Sequence, residues 1–258
     1  MIEISNDGRV RVLRLDRPES KNAFNEALYD GLTEALIEAD NDNGVAVVVI
    51  TGTGDSFSSG TDVVELGQRM GDPSFTPGKH GFPGLANTLI GFSKPLMCAV
   101  NGLGLGIGVT ILGLSDLVFM AESARVKCPF TDLALAPEAA SSFTFPLIMG
   151  RQNATWMLLS SEWITAEQCF DMGLAYKLCS DAKLMDETMR HARVLAAKPI
   201  SSLVASKKVV MDPLREQIQA ARKREDKAFA ELLGKPANIE ALTAFAEKRD
   251  PDFMSLGE

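Results

Sequence analysis

Apolar residues along this chain switch repeatedly between the two-residue period of strands and the three-to-four-residue period of helices. Ile2–Ile4 and Val10–Leu15 flank Asn6-Asp7-Gly8 and predict a hairpin. Asn25 then stands as an N-cap before a helix to about Asn41, with Ala27, Leu28, Leu32, Ala35, Leu36 and Ala39 on one face. Asp42-Asn43-Gly44 ends it, and Val45–Ile50 is an unbroken apolar run of the kind found in strands buried on both faces. Residues 71–82, with three glycines and two prolines, predict a mobile surface loop before a helix over 83–92.

A second buried strand, Pro95–Val100, runs into Asn101-Gly102-Leu103-Gly104-Leu105-Gly106-Ile107-Gly108 and then into an apolar stretch suited to a buried helix. A third strand covers 116–121, residues 128–142 read as irregular, helices cover 143–160 and 165–172, and a strand covers 174–178. Beyond Asp181 the pattern is helical throughout: 181–197, 199–211, 214–234 and 236–248. Strands alternating with helices give an α/β class, with a core over 1–195 and a C-terminal helical region over 196–258. That region has apolar faces but no partner of its own, so it is expected on the core or on another subunit.

Composition narrows what such a chain does. Of 258 residues, 46% are hydrophobic, enough for a sizeable core. A net charge of −8 without a basic run argues against nucleic acid as a partner. No apolar run reaches the ~18 residues that cross a bilayer, and Met1 leads into Ile2-Glu3-Ile4 rather than a cationic, then apolar leader. The final Ser-Leu-Gly-Glu is no peroxisomal address. Cys98, Cys128, Cys169 and Cys179 lack metal-site spacing, and reduced thiols in a cytoplasmic protein fit them best.

The candidate chemistry lies in the loops. Thr51-Gly52-Thr53-Gly54-Asp55-Ser56-Phe57-Ser58-Ser59-Gly60-Thr61-Asp62 follows one core strand as the glycine run follows the other. Glycine beyond a strand and before a helix leaves backbone N–H groups free, and two such loops suit an oxyanion hole that draws one donor from each. The glycine run does not fit G-x-G-x-x-G, and neither a phosphate-binding G-x-x-x-x-G-K-[ST] nor a hydrolase G-x-S-x-G occurs. With no histidine near these loops, a proton-transfer group must be a carboxylate. Glu138 stands out: the run from Leu133 to Ile148 is otherwise uncharged, and Pro137 precedes it directly. Burial there would raise its pKa toward neutrality. On the residues alone, a structural and a catalytic Glu138 both remain open.

Phe57-Ser58-Ser59-Gly60-Thr61-Asp62, Asn101 to Gly108 and Glu240-Ala-Leu-Thr-Ala-Phe245-Ala-Glu-Lys248-Arg249 resemble motifs of the crotonase (enoyl-CoA hydratase/isomerase) superfamily, at matching separations over nearly the whole chain. The resemblance implies a spiral of ββα units with a helical C-terminal region, a homotrimer or a hexamer of paired trimers, and an acyl-CoA thioester as substrate. Coenzyme A then enters as part of the substrate, with no separate cofactor. It assigns the thioester oxygen to the N–H groups of Thr61 and Ile107, next to Gly106. It gives the coenzyme A path to Lys21, Ala23 and the segment Ser59, Gly60, Thr61, Asp62, Val63, and the nucleotide end to Phe245 and Lys248. Hydratases of the superfamily carry two glutamates where this chain has Thr110 and, by spacing, Phe130. Pro137-Glu138-Ala-Ala-Ser141-Ser142-Phe143-Thr144-Phe145-Pro146 instead is similar to the Δ3,Δ2-enoyl-CoA isomerases, which work with one glutamate at this position. That implies isomerisation of 3-enoyl-CoA in fatty acid β-oxidation. A hydratase or acyl-CoA lyase using acids such as Glu65 or Asp132, and a non-catalytic acyl-CoA binder, are the competing expectations.

Overall fold

A computed structural model describes residues 1–72 and 74–257, so Pro73, inside the loop expected over 71–82, and Glu258 lie outside the described residues. In chain order the elements are β1 (Ile2–Asp7), β2 (Val10–Leu15), α1 (Glu26–Asn41), β3 (Val47–Gly52), β4 (Ser56–Ser58), α2 (Val63–Gly71), α3 (Gly81–Gly91), β5 (Leu96–Val100), β6 (Leu103–Leu105) and α4 (Ile107–Thr110). There follow β7 (Leu117–Ala121), β8 (Arg125–Lys127), α5 (Ser141–Met149), α6 (Arg151–Leu159), β9 (Ile164–Thr165), α7 (Ala166–Met172), β10 (Lys177–Cys179), α8 (Leu184–Ala196), α9 (Ile200–Leu232) and α10 (Pro236–Glu247).

The apolar runs build the larger sheet, ordered β1-β2-β3-β5-β7-β10, antiparallel only in the β1–β2 hairpin. Its registers put Leu13 beside Ile50, Ile50 beside Cys98 and Cys98 beside Val118. Every residue of β3 and β5 is buried, as unbroken apolar runs require in a sheet covered on both faces. A smaller sheet, β4-β6-β8-β9, stands beside it. The chain passes from a long strand to a short one and then to a helix: β3-β4-α2, β5-β6-α4, β7-β8-α5. That is the spiral of ββα units, within a mixed α/β fold.

Several expectations shift. Val45–Ile50 pairs only from Val47, and the last strand is Lys177–Cys179 rather than 174–178, because Leu174 and Ala175 are buried in the turn that precedes it. The helix expected over 143–160 breaks at Gly150, whose φ of 77° ends α5 and opens α6. The buried helix after the glycine run is a single α turn, α4, continued by a 3-10 turn over Ile111–Leu114. The segments 199–211 and 214–234 are one 33-residue helix, α9, which runs through Pro213. Proline removes one helical N–H bond and crowds the carbonyl one turn before it, and tertiary contacts hold the helix on both sides. Before it, Lys207 Nζ donates to Asp116 Oδ2 (2.7 Å) and to the Lys94 carbonyl (2.9 Å); after it, Arg215 Nη1 donates to the Ile90 carbonyl (2.7 Å).

Candidate active site

Two asparagines, Asn22 buried and Asn101 half-buried, shape the glycine loops. Asn22 Nδ2 donates to the carbonyls of Thr53 and Ser56, while Asn101 accepts from Gly52 N and donates to Gly54 O. Gly102 lies so close to the first loop that a Cβ there would sit 1.9 Å from Asp55 O. Gly60 (φ +86°) and Gly106 (φ +50°, ψ −119°) adopt conformations that L side chains resist. A Cβ on Gly60 would meet Leu105 O at 3.0 Å, so the loops join where Gly60 faces Leu105–Gly106. Just beyond, the N–H groups of Thr61 and Ile107 meet no acceptor among the described residues. Because α4 is one turn long, these N–H groups, not a helix dipole, are what the loops offer.

The Lys21–Phe24 segment is stitched to the first loop: Ser59 N donates to Lys21 O, Ser58 Oγ to Asn22 O, Phe24 N to Gly60 O, and Asp62 N to Phe24 O. Lys21 is exposed and Ala23 buried, its carbonyl accepting from Arg17. Asp62 caps α2 through the N–H groups of Val64 and Glu65 and pairs with Arg17 at 3.2 Å. Val63 opens that helix and is exposed.

Beside the loops lies a cavity of about 390 Å³. Phe24, Tyr29, Phe75, Phe82 and Phe229 give it an aromatic wall; Thr61, Asp62 and Glu138 also line it, together with Glu26, Glu65, Glu225 and Asp226. Lys21, Ala23, Ser59, Gly60, Val63, Gly106 and Ile107 are not among its lining residues, nor are Phe245 and Lys248, both exposed on the C-terminal helix and its end. Asp132 is exposed and pairs with Lys127 at 2.7 Å, outside the cavity. Tyr29 Oη lies 2.9 Å from Thr61 Oγ1, and burial holds its phenol well above its usual pKa, so it stays protonated.

Glu138 is held from its backbone. Ala139 (φ +56°) and Ala140 (φ +61°) are both left-handed, a strained turn for alanine, and Ser141 N and Oγ donate to Glu138 O at 3.0 and 2.6 Å. The Glu138 side chain meets Thr110 Oγ1 at 3.5 Å, the outer limit of a hydrogen bond. Burial, and then the charge of Glu225, push its pKa up to about 8, against the opposing pull of Arg222. Glu225 belongs to α9: its carboxylate accepts from Ala140 N at 2.6 Å and Ser142 N at 2.7 Å. Arg222, on the same helix, pairs with Asp226 at 3.1 Å and lies over the Phe82 ring. Sequence reading missed Glu225 because Lys223-Arg224-Glu225-Asp226-Lys227 looks like a solvated helix face; it also missed Tyr29, Phe82 and Phe229.

The profile of the enoyl-CoA hydratase/isomerase family matches residues 5–255. Enoyl-CoA delta isomerase 2 of Rattus norvegicus is 33% identical over 226 residues, covering 87% of this chain and 58% of that protein, so the chain spans less than two thirds of this relative's length. The 2,3-dehydroadipyl-CoA hydratase of Escherichia coli (strain K12) is 34% identical over 255 residues, 97% of each chain. Among solved structures, an enoyl-CoA hydratase of Mycobacterium marinum is 57% identical, with a TM-score of 0.80 over 82% of this chain and 99% of the other.

Proposed function

The chain belongs to the enoyl-CoA hydratase/isomerase family, and within it we propose that the enzyme converts 3-enoyl-CoA to trans-2-enoyl-CoA by a 1,3-proton transfer. The observation that supports this most is how the cavity carboxylates are partnered. Glu26 pairs with Arg69, Asp62 with Arg17 and Asp226 with Arg222; Glu225 takes two backbone N–H groups and Glu65 one. Among the described residues Glu138 alone has only the long contact from Thr110. One free carboxylate with its pKa near 8 can both take and return a proton.

In this reading the substrate thioester oxygen accepts from the N–H groups of Thr61 and Ile107. The Glu138 carboxylate removes a proton from C2. The electron pair of the broken C–H bond passes through the thioester carbonyl to give a dienolate. Protonated Glu138 then delivers the same proton to C4, the double bond settles between C2 and C3, and the carboxylate is regenerated. Lys21, Ala23 and Ser59–Val63 line the path of the coenzyme A part, which arrives with the substrate, and Phe245 and Lys248 close its nucleotide end. The enzyme works in fatty acid β-oxidation in the cytoplasm, as a homotrimer or paired trimers. Four cysteines without disulfides and exposed apolar side chains such as Trp156, Leu159, Val209 and Val210 fit that setting.

Hydration is the second reading, since a relative and a solved neighbour carry that name and Glu225 shares the cavity with Glu138. Water addition needs a second acid to hold and split water, and Thr110 stands where the resemblance expects one. Assays with trans-3-hexenoyl-CoA and crotonyl-CoA, on wild type and Glu138→Gln, separate the readings. Isomerisation should fall by roughly 10²–10⁴ in the variant. Isomerisation that survives the substitution refutes the mechanism, and a wild type that hydrates crotonyl-CoA without isomerising selects the second reading.

A further inference from the structure

Glu225 is 4% exposed, and an acid this deeply buried needs a partner. It has no cation within ion-pair distance among the described residues, for Arg222 turns to Asp226 and the Phe82 ring. Its two oxygens instead take the N–H groups of Ala140 and Ser142, one from the strained turn and one from the first turn of α5. Both donors follow Glu138 within four residues, and 85 residues of chain separate Ala140 from Glu225. The bond therefore ties the last long helix to the turn that carries the reacting group.

The two carboxylates face one cavity with unequal support. Burial raises both carboxyls, but at Glu225 it is opposed by the bonds from Ser142 and Ala140 and by the charge of Arg222, whereas Glu138 has only Arg222 and a hydroxyl at 3.5 Å to oppose it. Where two acids sit close, the better-supported one keeps its charge and the other takes the proton. Resting on the isomerase reading, we propose that Glu225 is a positioning residue: its carboxylate pins the Ala139–Ala140 turn that presents Glu138, and its negative charge favours the protonated form of Glu138. The other groups facing Glu138 do not supply this. Tyr29 of α1 stays neutral, Thr110 of α4 is uncharged, and burial keeps Cys128 a thiol. Arg222 opposes the effect, and Asp226, paired with Arg222, adds to it less than Glu225 does. Glu26 is paired with Arg69 and Asp62 with Arg17, and Glu65 accepts from the Glu26 N–H.

The test uses the full chain labelled with ¹³C at the glutamate carboxyl, the Glu138 resonance being the one lost in Glu138→Gln. Glu225→Gln keeps a hydrogen-bonding oxygen but removes the charge, so the Glu138 titration midpoint should fall by about one pH unit. Glu225→Asp keeps the charge but shortens the reach, so the midpoint should move less than half as far. Its kcat on trans-3-hexenoyl-CoA should drop at least ~10-fold with KM little changed, because the misplaced base acts after binding. A folded Glu225→Gln with an unmoved Glu138 midpoint overturns the proposal, as does a Glu225→Asp with wild-type kcat. If Glu225→Gln does not fold, the kcat of Glu225→Asp decides. If the wild type does not isomerise, the functional reading fails on its own, and the Glu138 midpoint in Glu225→Gln still decides for or against the charge that Glu225 is said to supply.

Discussion

Replacing Glu138 by Gln should stabilise the protein, and only above a definable pH. Burial, and then the charge of Glu225, push the native carboxyl up to about 8 from an ordinary 4.5. Between those values the native state holds a proton that the unfolded chain has already released, so wild-type stability falls as pH rises and levels off above 8. At about 1.4 kcal/mol per pH unit, the ceiling on that loss is about 5 kcal/mol. The cavity opens to solvent beside Glu138, and water there reduces it to ~2 kcal/mol or more. Glutamine, nearly the same shape and uncharged, escapes the loss. Urea unfolding of both proteins at half-unit steps from pH 4.5 to 9 reads the difference directly. The curves should nearly meet at pH 4.5, diverge to pH 8 and run parallel beyond it, and in thermal unfolding at pH 8.5 the variant should melt ~4–8 °C higher. A difference independent of pH, or a variant less stable than wild type at pH 8.5, refutes the buried-charge account of this site.

The remaining expectations are briefer. Only ionised Glu138 removes a proton, so kcat/KM for isomerisation should climb with pH and level off above about 8; a plateau already reached at pH 6.5 contradicts the raised pKa. Gly102→Ala places a Cβ 1.9 Å from Asp55 O and should cost ~3 kcal/mol or more in chemical denaturation, whereas Gly91→Ala, with nothing within 4 Å, should be near neutral. Six carboxylates line the cavity beside the single cation Arg69 among its lining residues, so a 3-enoyl-CoA ending in a carboxylate should show kcat/KM at least ~10-fold below its methyl-ended counterpart; equal values would show that the charge is neutralised.

Much of the framework could be read from residue patterns because burial on both faces leaves a strong signature. Val45–Ile50 and Pro95–Val100 read as central strands, which the structure places at Val47–Gly52 and Leu96–Val100, and Asn25 does cap α1, accepting from Leu28 N. The smaller sheet escaped, for strands of two or three residues such as Ser56–Ser58, Leu103–Leu105 and Ile164–Thr165 show no period. Pro213 suggested a break that tertiary contacts override, and Gly150 made one that the apolar pattern concealed. Glu138 was legible because its neighbours are uncharged. Glu225 was not, because four charged neighbours surround it in sequence and only the packing of α9 takes it out of water. A buried acid inside a charged run has no local signal.

The tie between Glu225 and the Ala140 turn also sets an order in time. A ribosome releases the chain from its N-terminus, and early segments can collapse before late ones exist. The sheets and the two glycine loops end by Cys179, so most of the cavity's floor can form while α9 is still being made. The turn after Glu138 must then wait, with two unpaired N–H groups and two left-handed alanines, for a carboxylate 85 residues downstream. Until α9 docks, the nascent protein has the cradle for a substrate but an unseated base. Activity should therefore switch on late and abruptly during synthesis, with the docking of one helix.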